Sequence, residues 1–315
     1  MRTRDSRASV LLATLLLACA SAGGQTPNAL PIKLKIVLDK TEFFEGEPVY
    51  ALVELRNVSS DTVRVPPFSL NSGWLVGVLH RADGSVVPGG RNAYVYYRCH
   101  QTCNDDPVSP GGARYLPFIV QELWGQPGPF SYVRLYRKLD TGAYTLDGSF
   151  RLDGPAGSTP LVASPVAFRI HPRRPAEDAA YQQFVRLGAV DVRSWTVDDL
   201  DSALAWTSRR LAGDSADPFA LKVLIWSELP TRAMRPGIET PELVRIFQLE
   251  LAIIETQARS PVGALAVEYL YGGGPPRFRD PRLPLCPTLA GTVVGDIACE
   301  REAWWAQRKR SSPPD

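Results

Sequence analysis

The sequence predicts a β-sandwich followed by an α-helical domain. Three observations carry this. Hydrophobic side chains recur at every second position, in short runs, from Lys33 to about Ile170. From Pro175 onward they recur every three to four residues. The punctuation changes at the same place: Gly, Asn and Asp turns precede His171-Pro172, whereas pairs of an N-cap residue and a proline follow it. A chain of 315 residues, 44% hydrophobic and 22% charged, has apolar material for two cores.

The clearest strand lies between Phe44 and Val65. After the turn signal Glu45-Gly46-Glu47-Pro48, the residues Val49, Ala51, Val53 and Leu55 point one way and Tyr50, Leu52, Glu54 and Arg56 the other. That period of two predicts a strand buried on one face. Lys33 to Asp39 forms an earlier strand by the same alternation. Asn57 to Asp61 turns the chain, and Val63 and Val65 resume it. Trp74 to His80 is apolar on both sides, which predicts a central strand. Asp83-Gly84 then closes a hairpin returning at Val86-Val87. Tyr94 to Arg98, Tyr115 to Leu123 (with Pro117 inside it) and Phe130 to Tyr136 are further strands. Asp140-Thr141-Gly142 turns the chain into Ala143 to Leu152, and Val166 to Ile170 completes the set.

Eight or nine short strands so punctuated read as a sandwich. The segment Glu45-Gly46-Glu47-Pro48-Val49, followed by Val53-Glu54-Leu55-Arg56-Asn57-Val58-Ser59, resembles the opening of immunoglobulin-like domains in bacterial exported proteins. Gly142-Ala143-Tyr144-Thr145-Leu146 resembles their penultimate strand. The resemblance spans roughly residues 32–171 and implies an immunoglobulin-like antiparallel scaffold without chemistry of its own. The insertion at 99–114 departs from a minimal domain of that kind.

In the second half, Pro175 opens a helix with acids in its first turn. Thr196 and Asp199 resemble a capping box. Asp217-Pro218, Thr240-Pro241 and Ser260-Pro261 each place an N-cap before a proline, and the helices they open are expected to reach Leu229, Arg259 and Leu270. The spacing from Pro175 to Pro218 and from Pro218 to Pro261 is 43 residues in each case, within the range of αα-hairpin repeats. A helical bundle and a repeat array are both open. Phe219 to Leu229 and Leu243 to Ile254 are apolar on most of their circumference and are expected to be central. A last short helix is expected at Ile297 to Gln307, with a frayed end after it.

The expected organisation is therefore a signal peptide at 1–24, a linker at 25–31, a sandwich at 32–172, a helical domain at 173–274 and a tail at 275–315. Arg2, Arg4 and Arg7 precede an apolar run, Val10 to Ala18, too short to span a membrane. Leu16-Leu17-Ala18-Cys19 resembles a bacterial lipobox, in which Cys19 is lipidated; Ala18-Cys19-Ala20 or Ala20-Ser21-Ala22 suits an ordinary signal peptidase. The lipobox reading is preferred and implies a membrane anchor at Cys19, each buried CH₂ contributing roughly 0.8 kcal/mol. The net charge of +2 disappears on processing, which argues against a nucleic-acid partner. Export favours disulfides among Cys99, Cys103, Cys286 and Cys299, and the local pairs Cys99–Cys103 and Cys286–Cys299 need no contact between domains.

No motif specifies a reaction, a metal or a cofactor. Cys99-His100-x-x-Cys103 lacks the second close pair that structural zinc needs. His80 reads as a satisfied strand histidine, and His171 lies in the linker. Glu250 and Glu255 lie 140° apart round a helix, too divergent for a catalytic pair, and Asp105-Asp106 lie in the insertion. Asn57-Val58-Ser59 matches a glycosylation sequon but reads as a turn. Trp304-Trp305 reads as packing for the last helix. Tyr94, Tyr96, Tyr97 and Tyr115 are the best candidates for surface recognition, because tyrosine offers large contact area at low entropic cost. The composite expectation is a non-catalytic protein of the envelope, in the periplasm or on the outer membrane if lipidated and secreted if not. Its partner would be another protein or a polymer, bound at the sandwich loops or a helical groove. The rivals are a hydrolase with a site between the domains and a protease-inhibitor-like sandwich presenting residues 99–114.

Overall fold

The computed structural model describes residues 31–66, 68, 75–88, 106–123, 138–152, 160–189, 195–234, 240–272 and 280–311. Cys19, Tyr94, Tyr96, Tyr97, Cys99, Cys103 and the strand expected at 130–136 lie outside the described residues, as does the signal segment. Residues 32–315 form one compact unit.

Strands come first and helices follow. Strands β1 (Ile32–Leu38), β3 (Tyr50–Asn57) and β7 (Ala113–Ile119) form an antiparallel sheet in the order β1-β3-β7. A second sheet runs β2 (Glu42–Phe44), β10 (Val166–His171), β8 (Gly142–Phe150), β5 (Leu75–Arg81), with β9 (Leu161–Val162) also on β8. In it β2 joins β10 in parallel and the remaining pairs are antiparallel. A short ribbon pairs β4 (Val63–Val65) with β6 (Asp106–Val108). Leu34, Ile36, Val53, Leu55, Leu116 and Phe118 of the first sheet meet Phe43, Leu79, Leu146, Phe150, Phe168 and Ile170 of the second in one core.

Three local expectations need correction. First, β5 lies at the end of its sheet among the described residues, not at its centre. Leu75 and Leu79 face the core, and the opposite face leaves Val76 46% exposed. Second, the strand expected to reach Leu123 stops at Ile119, and Val120–Leu123 forms the helical turn α1. The Gln121 side chain continues the ladder there: its Oε1 accepts from Val49 N at 2.9 Å and its Nε2 donates to Glu47 O at 2.6 Å. An amide group thus replaces a peptide group, and the backbone is released to turn. Third, β3 is buried on both faces over its first half, for the reason given below. Pro117 is accommodated because β7 is an end strand of its sheet among the described residues. The hairpin at Asp83-Gly84 is as expected, with Gly84 at φ 80° and Val87 N donating to Leu79 O at 2.7 Å.

The helices are α2 (Pro175–Ala189), α3 (Val197–Gly213), α4 (Ala220–Met234), α5 (Pro241–Thr256), α6 (Pro261–Gly272), α7 (Leu285–Thr288) and α8 (Val293–Ser311). Their starts match the cap signals. Thr196 and Asp199 form a reciprocal capping box. Asp217 Oδ1 accepts from Phe219 N and Ala220 N at 3.0 and 3.1 Å, Thr240 from Leu243 N and Ser260 from Gly263 N, both at 3.2 Å. The ends match less well. Helix α4 runs through Pro230 to Met234, because a proline removes one N–H without ending a well-packed helix. Helix α8 starts a turn earlier than expected and continues to Ser311. Cys286 and Cys299 form a disulfide that ties α7 to α8. Glu302 adds a second tie, accepting from Leu285 N at 2.9 Å and from the Tyr271 hydroxyl.

Helices α4, α5 and α6 supply most of a second core. That core also includes Tyr50, Leu52, Tyr115 and Ile119, the outward side of the β1-β3-β7 sheet. The sheet is therefore a wall shared by two cores, and the helices cover the face of β3 that alternation alone assigned to solvent.

Candidate functional site

Among the described residues, a group of charged and polar side chains, several of them buried, lies where the β2–β3 turn meets the helices. Gly46, in that turn, has φ 87°, and a Cβ there would collide with the Tyr181 ring of α2. The turn signal Glu45-Gly46-Glu47-Pro48 thus has a docking role: glycine supplies both the left-handed backbone and the room for Tyr181. Arg173 stacks over the same ring at 4.1 Å and donates to Glu45 O at 2.8 Å.

Glu47 is 2% exposed; it accepts from Phe44 N at 2.8 Å and pairs with Lys40. Burial pushes its carboxyl up despite Lys40. Tyr50, fully buried, sends its hydroxyl across to Pro218 O at 2.7 Å. Asp217, besides capping α4, accepts from Arg210 Nε at 2.6 Å, and burial outweighs that cation to raise its carboxyl too. Lys222 of α4 pairs with Glu122 of α1 and lies 5.3 Å from the Trp226 ring centre. Asp39, at the end of β1, is pushed up to about 7, with burial the largest cause.

Tyr50→Phe isolates the cross-seam hydrogen bond. The ring still fills its site, but Pro218 O loses its donor in a buried setting. We expect a stability loss of about 1–2 kcal/mol, read from the urea midpoint. A change under about 0.3 kcal/mol would mean that the bond contributes nothing net.

The residues singled out from sequence are scattered. Tyr115 is 8% exposed within the seam, not on a recognition surface; its hydroxyl donates to Asp296 at 3.1 Å, and burial raises it to about 12. The His80 Nε2 lies 3.0 Å from Asp147, and His171 pairs with Glu42. Glu250 is buried in α5, whereas Glu255 is exposed and lies 3.5 Å from Arg282. Trp304 and Trp305 pack edge to face at 4.4 Å, and the Trp305 indole donates to Tyr271 O. Among the described residues no group of three or more His, Cys, Asp or Glu could hold a metal ion, and no helix is long and apolar enough to cross a membrane. The seam residues Asp39, Glu47, Tyr50, Asp217 and Lys222 carried one signal in sequence. A lone lysine inside Ala-Leu-Lys-Val-Leu-Ile-Trp, on a helix expected to be central, needs a buried anion.

No protein-family model matches the chain, and no curated protein matches it. Among solved structures it is similar to the β-glucosidase from Listeria innocua in complex with gluconolactone, at 11% identity and TM-score 0.24, covering 44% of this chain and 16% of that one. It is also similar to Spo0M, the sporulation control protein from Bacillus subtilis, at 10% identity and TM-score 0.27, covering 50% of this chain and 55% of that one. The chain thus spans only about a sixth of the β-glucosidase and about half of Spo0M. Scores of that size carry no argument about fold or activity.

Proposed function

We propose that the chain is a non-catalytic exported protein of the cell envelope, held at a membrane through a lipidated Cys19, whose immunoglobulin-like sandwich binds another protein or a polymer. One observation carries the non-catalytic part. Glu47, Glu122, Asp217, Tyr50 and Gln121, polar groups at the seam between the strands and the helices, are each spent on a partner in this chain. Groups so engaged fix the sandwich against the helices rather than wait for a substrate. The immunoglobulin-like reading draws support from the strand pairing, including β2 parallel to β10 beside antiparallel β8. It also draws on Tyr144, whose hydroxyl donates to Asp140 O at 2.9 Å, the kind of corner such domains use at that strand. The Cys286–Cys299 disulfide fits an oxidising compartment.

Crosslinking in the native envelope followed by pull-down is expected to recover a stoichiometric partner; repeated recovery of the chain alone counts against the proposal. Fatty-acid labelling is expected in the wild type and not in Cys19→Ser. A wild type that takes up no label removes the lipid anchor but leaves the binding reading standing.

A hydrolytic site at the seam is the second reading, favoured by the raised carboxyl of Asp39. It predicts hydrolysis of a glycan or peptide panel that Asp39→Asn abolishes. The non-catalytic proposal predicts no turnover by either form.

A further inference from the structure

Four carboxylates and three cations meet at the seam. Lys40 pairs with Glu47, Arg210 with Asp217 and Lys222 with Glu122. Asp39 is the carboxylate left over. Its Oδ1 is buried and finds no hydrogen-bond donor among the described residues. Lys40 and the backbone N–H groups of residues 39 and 40 favour its ionised form, but burial outweighs them; Lys138 and Arg173 pair with Glu45, and Arg173 also with Asp178. Asp39 is also tied to the strand that reaches the helices, since its N–H donates to Tyr50 O at 3.2 Å. The groups facing it are Lys40 on its own turn, Glu47 on the next turn and Tyr50 on β3. Tyr50 in turn feels Glu122 on α1 and Asp217 at the head of α4. An ionised Asp39 therefore adds a buried negative charge that Lys40, already paired with Glu47, offsets only in part, and that Glu47 opposes.

We propose that Asp39 is a proton-binding switch for the junction between sandwich and helices. Protonated, it lets the β1–β2 turn close on Tyr50 and on the Glu47 turn; ionised, it loosens that closure and weakens the hold of Tyr50 on α4. Burial raises the carboxyl to about 7, so the folded chain holds a proton that the unfolded chain releases near the ordinary aspartate value. The contribution to stability is fully present below that ordinary value and is lost as pH rises toward and through 7. Glu47 and Asp217 are raised as well and bend the profile the same way, but each keeps its own cation.

The test uses the full chain. Urea midpoints are measured from pH 5.5 to 8.5 for wild type and Asp39→Asn, with amide exchange of residues 49–52 and 219–224, corrected for intrinsic rates. The wild type is expected to lose midpoint with rising pH and about tenfold or more of its protection at both segments. Asp39→Asn, fixed in the neutral form, is expected to lose clearly less, keeping only the slope that Glu47 and Asp217 contribute. A variant that keeps the wild-type profile overturns the proposal. So does a wild type that loses protection at 49–52 alone, since the helices then do not feel the proton. If Asp39→Asn does not fold, carboxyl-carbon NMR on the wild type decides. Titration near 7 supports the switch, and titration near 4 ends it.

Discussion

Asn57→Ala is expected to lower stability by about 3 kcal/mol, with the urea midpoint shifted and the denaturant slope unchanged. Asn57 ends β3 and is fully buried. Its Nδ2 donates to Asp61 O at 2.7 Å and to Val108 O at 2.8 Å. Its Oδ1 accepts from Ser59 N at 2.9 Å and from Ser59 Oγ at 2.8 Å. All four hydrogen-bonding positions of the amide are used, so one side chain closes the 57–61 turn and ties β3 to β6. Alanine strips a partner from the Val108 carbonyl and from Ser59 N, while Asp61 O keeps the Ser59 hydroxyl at 3.0 Å. The Val108 carbonyl is the costly one, because Val108 is itself fully buried, while water can reach the Ser59–Asp61 side. Each buried orphan costs about 1–3 kcal/mol, and partial hydration at the turn brings the sum to roughly 3. Asp at the same position is expected to cost more, since it cannot donate to either carbonyl. The sequon reading of Asn57-Val58-Ser59 carries a matching expectation. A glycan cannot be joined to an Nδ2 that is buried and twice bonded, so the folded chain offered to an oligosaccharyltransferase stays unmodified. A loss under about 1 kcal/mol in Asn57→Ala would show that the network is dispensable.

How legible the molecule was depends on the range of the interaction in question. Alternation located β1, β3, β8 and β10 because burial against a facing sheet acts residue by residue. Cap chemistry located the starts of α3 to α6 because Thr196, Asp217, Thr240 and Ser260 bond within three residues of themselves. Helix ends were read less well, since α4 passes Pro230 on the strength of packing that sequence does not display. The second face of β3 was the instructive error. Tyr50 and Leu52 are apolar on the side assigned to water, and the cause is the helical half, more than a hundred residues away. The candidate site was illegible for the same reason. Asp39 and Glu47 lie far along the chain from Asp217 and Lys222, and the turn signal around Glu47 and the cap signal at Asp217 do not announce their meeting. The carboxyls of Asp39, Glu47 and Asp217 are raised chiefly by burial, which exists only in the folded chain.

That shared wall sets the other large effect. Phe184→Ala is expected to cost about 4 kcal/mol, within the usual range for emptying a buried aromatic site. Phe184 is 1% exposed on α2; its ring stacks on Trp226 with centroids 4.8 Å apart and lies 4.9 Å from Phe219. Both partners are on or beside α4, whose first turns are also held by Tyr50 and by the Lys222–Glu122 pair. Collapse around the cavity is hindered, because Gly188 already lets α2 approach Trp226 as closely as backbone permits. Helix α2 is also the strap between β10 and the helices, with Tyr181 seated on Gly46. A cavity beneath it should therefore loosen both cores together. In urea the amide-exchange protection of β1, β3, β8 and β10 and that of α4 to α6 are expected to be lost at the same lower midpoint, with tryptophan fluorescence following both. Coincident midpoints follow if Tyr50, Leu52, Tyr115 and Ile119 make one cooperative unit of the two cores. A helix transition that moves alone, leaving the strand protection at its wild-type midpoint, would instead mean that the sandwich holds its shape without the helices, and that the buried polar cluster orients two independently stable halves.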